Sequence, residues 1–242
     1  MRSVHFSRIV PLLGVALAVM VASPISAQNT AVTPAPFQQD RHEDFVAEAQ
    51  QGGIECLLMG DSITDWWRRA GLLVYVEHFE PLSCANFGIA GDRTQGVLWR
   101  MQNGELDGYS PKLMMLMIGT NNLSGRTTAP NTPDEIAMGV TAIVTTFRRT
   151  FPDAKVLLLG VFPRGADPTN PYREPIRQIN ELIDDLDDGE YVHFMDIGDR
   201  LLEPDGSISV EVMADGLHPT TRGYEIWAEA VMPTFRKLMG AN

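Results

Sequence analysis

The sequence predicts an α/β domain built on a five-stranded parallel sheet. Two observations carry that expectation: five apolar runs, each too short for a helix, and helical periodicity in most of the intervals between them. Those intervals are long enough for the crossover helices that parallel neighbours require. Strands covered by helices on both faces should be apolar without alternation, and Leu113-Met114-Met115-Leu116-Met117-Ile118 is of that kind.

The first 27 residues have the form of a secretory signal. Arg2 and Arg8 give a positive start, Leu12 to Ala22 an uncharged apolar stretch, and Ile25-Ser26-Ala27 a small-residue cleavage site. The stretch is shorter than the ~20 residues a membrane span needs, so no stable membrane insertion is expected after cleavage. Residues 28–38, with Thr33-Pro34-Ala35-Pro36, are expected to form a flexible leader, and 39–242 a single domain.

Within that domain Gln39 to Gln51 places Phe45 and Ala49 on one helical face and stops at Gly52-Gly53. The predicted strands are Ile54 to Met59, Ser83 to Phe87, Leu113 to Ile118, Val156 to Leu159 and Val192 to Met195. The predicted helices between and after them are Thr94 to Met101, Pro133 to Phe151, Arg173 to Leu186 and Thr220 to Leu238. Four prolines between Pro163 and Pro175 forbid regular pairing there and make that stretch a loop.

The chain of 242 residues carries a formal charge of −12, which falls to about −14 without Arg2 and Arg8. So acidic a surface repels phosphate backbones, which argues against nucleic acid as a partner. Cys56 and Cys84 each lie four residues before a glycine that closes a predicted strand, so they fall level on neighbouring strands. A disulfide would persist in an export compartment, yet its geometry suits adjacent parallel strands poorly, and two buried thiols are the favoured alternative.

In an open parallel sheet, ligands bind beyond the carboxyl ends of the strands. Ser62 follows the first strand, Gly88 and Gly91 the second, Gly119 to Asn122 the third and Pro163-Arg164-Gly165 the fourth, so all fall at one rim. Gly60-Asp61-Ser62 alone is ordinary turn chemistry. A serine at a strand-to-helix turn, however, exposes its hydroxyl, and the Gly-x-Ser-x-Gly elbow of α/β-hydrolases is absent. Of the five histidines only His218 has a carboxylate three residues earlier, Asp215, and a proline after it. Asp215 can then fix the imidazole tautomer and leave Nε2 to take a serine proton. The glycines of Asn86-Phe87-Gly88-Ile89-Ala90-Gly91-Asp92 let backbone approach a substrate closely, and Asn121 offers a side-chain amide.

Gly60-Asp61-Ser62, the Gly91 segment, Gly119-Thr120-Asn121-Asn122 and Asp215-Gly216-Leu217-His218 resemble the four blocks of the SGNH (GDSL) hydrolase family. Val97-Leu98-Trp99-Arg100, Asn103-Gly104-Glu105-Leu106, Pro111-Lys112, Asn122 and Pro163-Arg164-Gly165 further resemble the catalytic subunits of intracellular platelet-activating-factor acetylhydrolase and their bacterial relatives. That subgroup commonly has asparagine where Ile176 stands.

The resemblance implies a flavodoxin-like three-layer α/β/α sandwich, the SGNH hydrolase fold, with sheet order 2-1-3-4-5. It implies catalytic Ser62, Asp215 and His218, an oxyanion hole of Ser62, Gly91 and Asn121, and substrate contacts from Asp61, Asn122 and Arg164. No cofactor and no metal are needed. The implied activity is that of a serine esterase on short-chain, above all acetyl, esters, secreted or periplasmic here although the mammalian relatives are cytosolic. An exported member points to an acylated carbohydrate or another small-molecule ester. The alternatives are a lysophospholipase, thioesterase or phospholipid acetylhydrolase and, in another class, a non-catalytic carbohydrate-binding protein. The related subunits pair as homodimers, but no residue in this sequence carries that property over.

Overall fold

The computed structural model describes residues 28–125 and 129–240. The expected signal segment, 1–27, lies outside the described residues. A single five-stranded sheet runs through the molecule in the order β2-β1-β3-β4-β5, all neighbours parallel. Its strands are β1 (Cys56–Gly60), β2 (Cys84–Gly88), β3 (Leu113–Met117), β4 (Lys155–Leu159) and β5 (Val192–Met195). Each lies within a residue or two of the stretch its apolar run predicts.

The helices are α1 (Gln39–Gln51), α2 (Ser62–Asp65), α3 (Leu72–His78), α4 (Thr94–Arg100), α5 (Pro133–Thr150), α6 (Arg173–Asp184) and α7 (Thr221–Met239). Alternation of side chains along each strand divides the core in two. Leu57, Met59, Met114, Leu116, Val156 and Leu158 face α1, α4, α5 and α6, while Leu58, Met115, Met117, Leu157 and Leu159 face α3 and α7. Burial of both faces is why these runs are apolar throughout. The methionines of β3 are buried core filler, and the cysteines nearest them in the core are joined as a disulfide.

α5 starts in a capping box between Thr132 and Glu135 with Pro133 at its first position, and carries Arg148 and Arg149 in its last turn. α4 is shorter than its periodicity suggests, because the chain continues as a wide turn at Met101–Glu105 with a kink at Asn103 and Gly104. That turn carries Glu105 back beside Arg100. Arg100 pairs with Asp92 on one side and Glu105 on the other, all three inaccessible to solvent.

Two expectations are corrected. Residues 28–38 are not a flexible leader but a strap packed across the domain. Ala31 is fully buried, its carbonyl accepts from Thr94 Oγ1 at 2.8 Å, Ala35 N–H donates to Gln95 O at 3.1 Å, and Gln38 Nε2 donates to Ala90 O at 3.0 Å. After a 3-10 turn at Thr30–Val32 the prolines keep the path extended, and the Thr94 hydroxyl with the Gln95 and Ala90 carbonyls holds it down. Cys56 and Cys84 form a disulfide rather than two thiols. They are register partners on β1 and β2 with Cα atoms 4.3 Å apart, and in-register residues of parallel strands point to the same face.

Candidate active site

β1 ends at Gly60, and the chain turns at once into α2. A Cβ on Gly60 would collide with Thr64 Oγ1 and with the carbonyl of Met117, so only glycine lets α2 lie this close to the strand ends. Asp61 caps α2 by accepting from Ile63 N–H at 2.9 Å. Ser62 is the first residue of α2, ahead of the helix's own hydrogen-bond ladder, and is 7% exposed. Tyr224 of α7 donates its hydroxyl to Ile63 O at 2.7 Å and fixes the turn from below.

The last block arrives from the far end of the chain. Gly216, at φ +69°, turns the backbone so that Asp215 Oδ1 accepts from the N–H groups of Leu217 and His218, at 2.9 and 2.8 Å. Its other oxygen lies 2.6 Å from His218 Nδ1. His218 Nε2 in turn lies 2.9 Å from Ser62 Oγ. Burial pushes the Asp215 carboxyl up, but the hydrogen bonds from His218 and the two N–H groups outweigh it, and the net direction is down. The ionised carboxylate therefore holds Nδ1–H, which leaves the Nε2 lone pair directed at the serine hydroxyl.

The loop after β2 joins the same rim, with Ile89 N–H donating to Gly60 O at 3.2 Å. Gly91 follows at φ +86°. Asn121, in the turn after β3, donates from Nδ2 to Asp92 O at 2.9 Å, so its amide is tied to the residue beside Gly91 and keeps a second N–H. Arg164 reaches the rim from the β4 side, donating to Thr120 O and Oγ1 at 3.3 and 3.2 Å with its guanidinium over the Tyr172 ring.

Two of the expected substrate contacts are displaced inward. Asp61 and Asn122 are both 0% exposed and face protein, not solvent. Asn122 accepts from Thr94 N–H and donates to Thr94 Oγ1, Gln95 Oε1 and Asn131 Oδ1, which joins the β3 turn to α4 and α5. Asp61 keeps one oxygen without a hydrogen-bond partner, and burial, with the nearby Asp92 charge adding to it, pushes its carboxyl up to about 7. A short polar residue next to a nucleophile has the composition of a substrate contact. The structure uses both residues as braces.

Other participants leave little trace in sequence. The Trp66 ring stacks on His218 with centroids 4.1 Å apart and planes 18° from parallel. Trp66-Trp67 signals a helix start and no more, since the stacking partner is 152 positions away in the chain. The proline-rich loop braces the catalytic one, as Gly165 N–H donates to Gly216 O at 2.6 Å. Arg173 holds that loop through bonds to the carbonyls of Arg164, Gly165 and Gly206. Among the described residues no cluster of His, Cys, Asp and Glu is arranged to hold a metal ion.

A hydroxyl, an imidazole and a carboxylate in series, beside a glycine turn and a side-chain amide, is an arrangement suited to nucleophilic acyl transfer. Comparison with known proteins agrees. A sequence model of the GDSL-like Lipase/Acylhydrolase family matches residues 58–226. The chain is 37% identical over 224 residues to platelet-activating factor acetylhydrolase IB subunit alpha1 of Rattus norvegicus, covering 89% of this chain and 93% of that one. It is 37% identical over 185 residues to the alpha2 subunit of Bos taurus, covering 76% and 77%. A GDSL-like lipase from Bacteroides thetaiotaomicron superposes with a TM-score of 0.66 at 20% identity, covering 81% of this chain and 97% of that one. An acetyl-xylooligosaccharide esterase from Geobacillus gives 0.60 at 18%, covering 79% and 96%. At those identities the two structures speak to the fold.

Proposed function

The chain belongs to the GDSL-like lipase/acylhydrolase family and is an ester hydrolase, and from that premise we propose an exported serine esterase that removes short acyl groups, above all acetyl. The observation that carries the reading is the series of contacts Ser62 Oγ to His218 Nε2, 2.9 Å, and His218 Nδ1 to Asp215 Oδ2, 2.6 Å.

In this reading Ser62 Oγ attacks the ester carbonyl carbon as its proton passes to His218 Nε2. Asp215 stabilises the imidazolium and does not itself take the proton. The oxyanion is held by the N–H groups of Ser62 and Gly91 and by the Asn121 amide, a contribution of about 3 kcal/mol per donor. The tetrahedral intermediate collapses as His218 returns the proton to the departing alkoxide, which leaves an acyl-serine and a free alcohol. Water then gives a proton to His218, its hydroxide adds to the acyl carbon, and the acid departs as Ser62 recovers its proton. Arg164 stands at the rim as a contact for the alcohol half of the substrate.

Export is supported by the Cys56–Cys84 disulfide, since such bonds persist in oxidising compartments. An acylated carbohydrate is the substrate class that compartment favours. The names of the relatives favour a second reading, a phospholipid acetylhydrolase. Replacement of Ser62 by alanine should abolish p-nitrophenyl acetate hydrolysis with the circular dichroism spectrum unchanged; full activity in that variant would sink the nucleophile assignment. A series of p-nitrophenyl esters from acetyl to decanoyl then checks acyl length, with kcat/KM expected to fall beyond butyryl.

A further inference from the structure

A cavity of about 370 Å³ opens between the strap, the segment that follows Ser62, and the loop that leads to Gly91. Its walls contain three arginines, Arg41, Arg68 and Arg69, against one carboxylate, Asp65. That excess of positive charge is local, in a chain whose formal charge is −12. The volume falls within the range of small-ligand pockets, about 300 to 1,000 Å³.

The charges divide into those already used and those left over. Arg68 pairs with Asp65 and donates to the Asn86 and Gly88 carbonyls, so it is a structural bridge. Arg41 lies 3.5 Å from the exposed Asp44, a contact that water screens, and 4.0 Å from Asp65, at the outer limit of an ion pair and already engaged by Arg68. Glu48 stands near both Arg41 and Arg68, and burial pushes its carboxyl up, towards the neutral form. Arg69 is exposed, rests over the Trp66 ring with its guanidinium 5.6 Å from the centroid, and meets no carboxylate among the described residues. Gln38, which also lines the cavity, has φ +46°, one of two described non-glycine residues with positive φ. Strain of that kind collects at ligand sites.

The lining of the cavity is joined along the chain to the candidate site. Asp65 lies one turn of α2 beyond Ser62, a rise of about 5 Å, and Ala90 directly precedes Gly91. Arg69 rests on the indole that stacks on His218. We infer that this cavity is an anion subsite for the alcohol half of the substrate: Arg41 and Arg69 receive a carboxylate or a phosphate close to the ester that Ser62 attacks. Planar guanidinium groups suit both oxyanions. The inference rests on the esterase reading and narrows it to acyl esters of acidic alcohols, such as an acetylated uronate or a phosphorylated alcohol.

Calorimetric titration of the full chain with inorganic phosphate, glucuronate and glucose tests the subsite without turnover. Phosphate or glucuronate should bind and glucose should not. R41Q/R69Q should weaken that binding about tenfold, and R41K/R69K should restore part of it. Preference between the two anions tells which acidic alcohol the site takes. Failure of both anions to bind, or binding that R41Q/R69Q leaves unchanged, overturns the inference. The link to catalysis is read from the ratio of kcat/KM for 4-acetoxybenzoate to that for its methyl ester. The ratio should be about tenfold higher in the wild type than in R41Q/R69Q, and equal ratios would overturn the subsite's role in catalysis. Anion binding without hydrolysis of either ester would strike at the esterase reading alone.

Discussion

At the level of single residues, the neighbours of Ser62 separate position from chemistry. Asp61 is raised to about 7 by burial, above its ordinary value of 3.8. Between those values the folded chain holds a proton that the unfolded chain has lost, so Asp61 makes stability fall as pH rises from about 4 to about 7 and then level off. Glu105, also raised to about 7 by burial, acts with the same sign. Replacement of Asp61 by asparagine keeps an acceptor for Ile63 N–H and removes one of the buried carboxyls that act this way. Urea unfolding should show D61N more stable than wild type at pH 8, by roughly 2 to 4 kcal/mol, and close to it at pH 4. An unchanged slope with pH would refute the assignment. Trp66 makes a different claim, on the imidazolium formed when His218 takes the proton. An aromatic face stabilises such a cation by about 1 to 2 kcal/mol, so Trp66→Ala should lower kcat about tenfold and Trp66→Phe much less. Steady-state kinetics on p-nitrophenyl acetate checks the pair.

Secondary-structure elements were legible where periodicity and end signals agreed. α1, α5 and the five strands lie at or near their predicted limits because burial on both faces, caps and glycines all act within a few residues. α3 has no counterpart among the predicted helices, and the turn at Met101–Glu105 was not legible, since Arg100 and Glu105 meet across it through side chains rather than by a local pattern. The disulfide was half legible: counting back from Gly60 and Gly88 set the cysteines level, but whether their side chains meet depends on strand register and face. Closing a loop across 28 positions stabilises a fold by about 3 kcal/mol in the chain-entropy account. C56A/C84A should therefore melt about 6 to 12 °C lower by calorimetry, and activity measured at 25 °C should survive.

Across the whole molecule, the meeting of Ser62, His218 and Asp215, the proposed triad, was readable because a parallel sheet gathers its loops at one rim, while the braces were not. Trp66 on His218, Gly165 on Gly216 and the strap on α4 are contacts between distant segments whose residue types carry no local signal. The strap gives the measurement at this scale. Removal of residues 28–38 deletes the buried Ala31 and the bonds to Thr94, Gln95 and Ala90, each worth about 1 kcal/mol. The shortened chain should melt about 5 to 10 °C below the full one, and an unchanged midpoint would return the segment to the status of a leader. Ser62 and His218 are separated by 156 positions. In the proposed mechanism the ribosome therefore delivers the nucleophile long before the base that arms it, and a product cut short before Asp215 holds an inert serine.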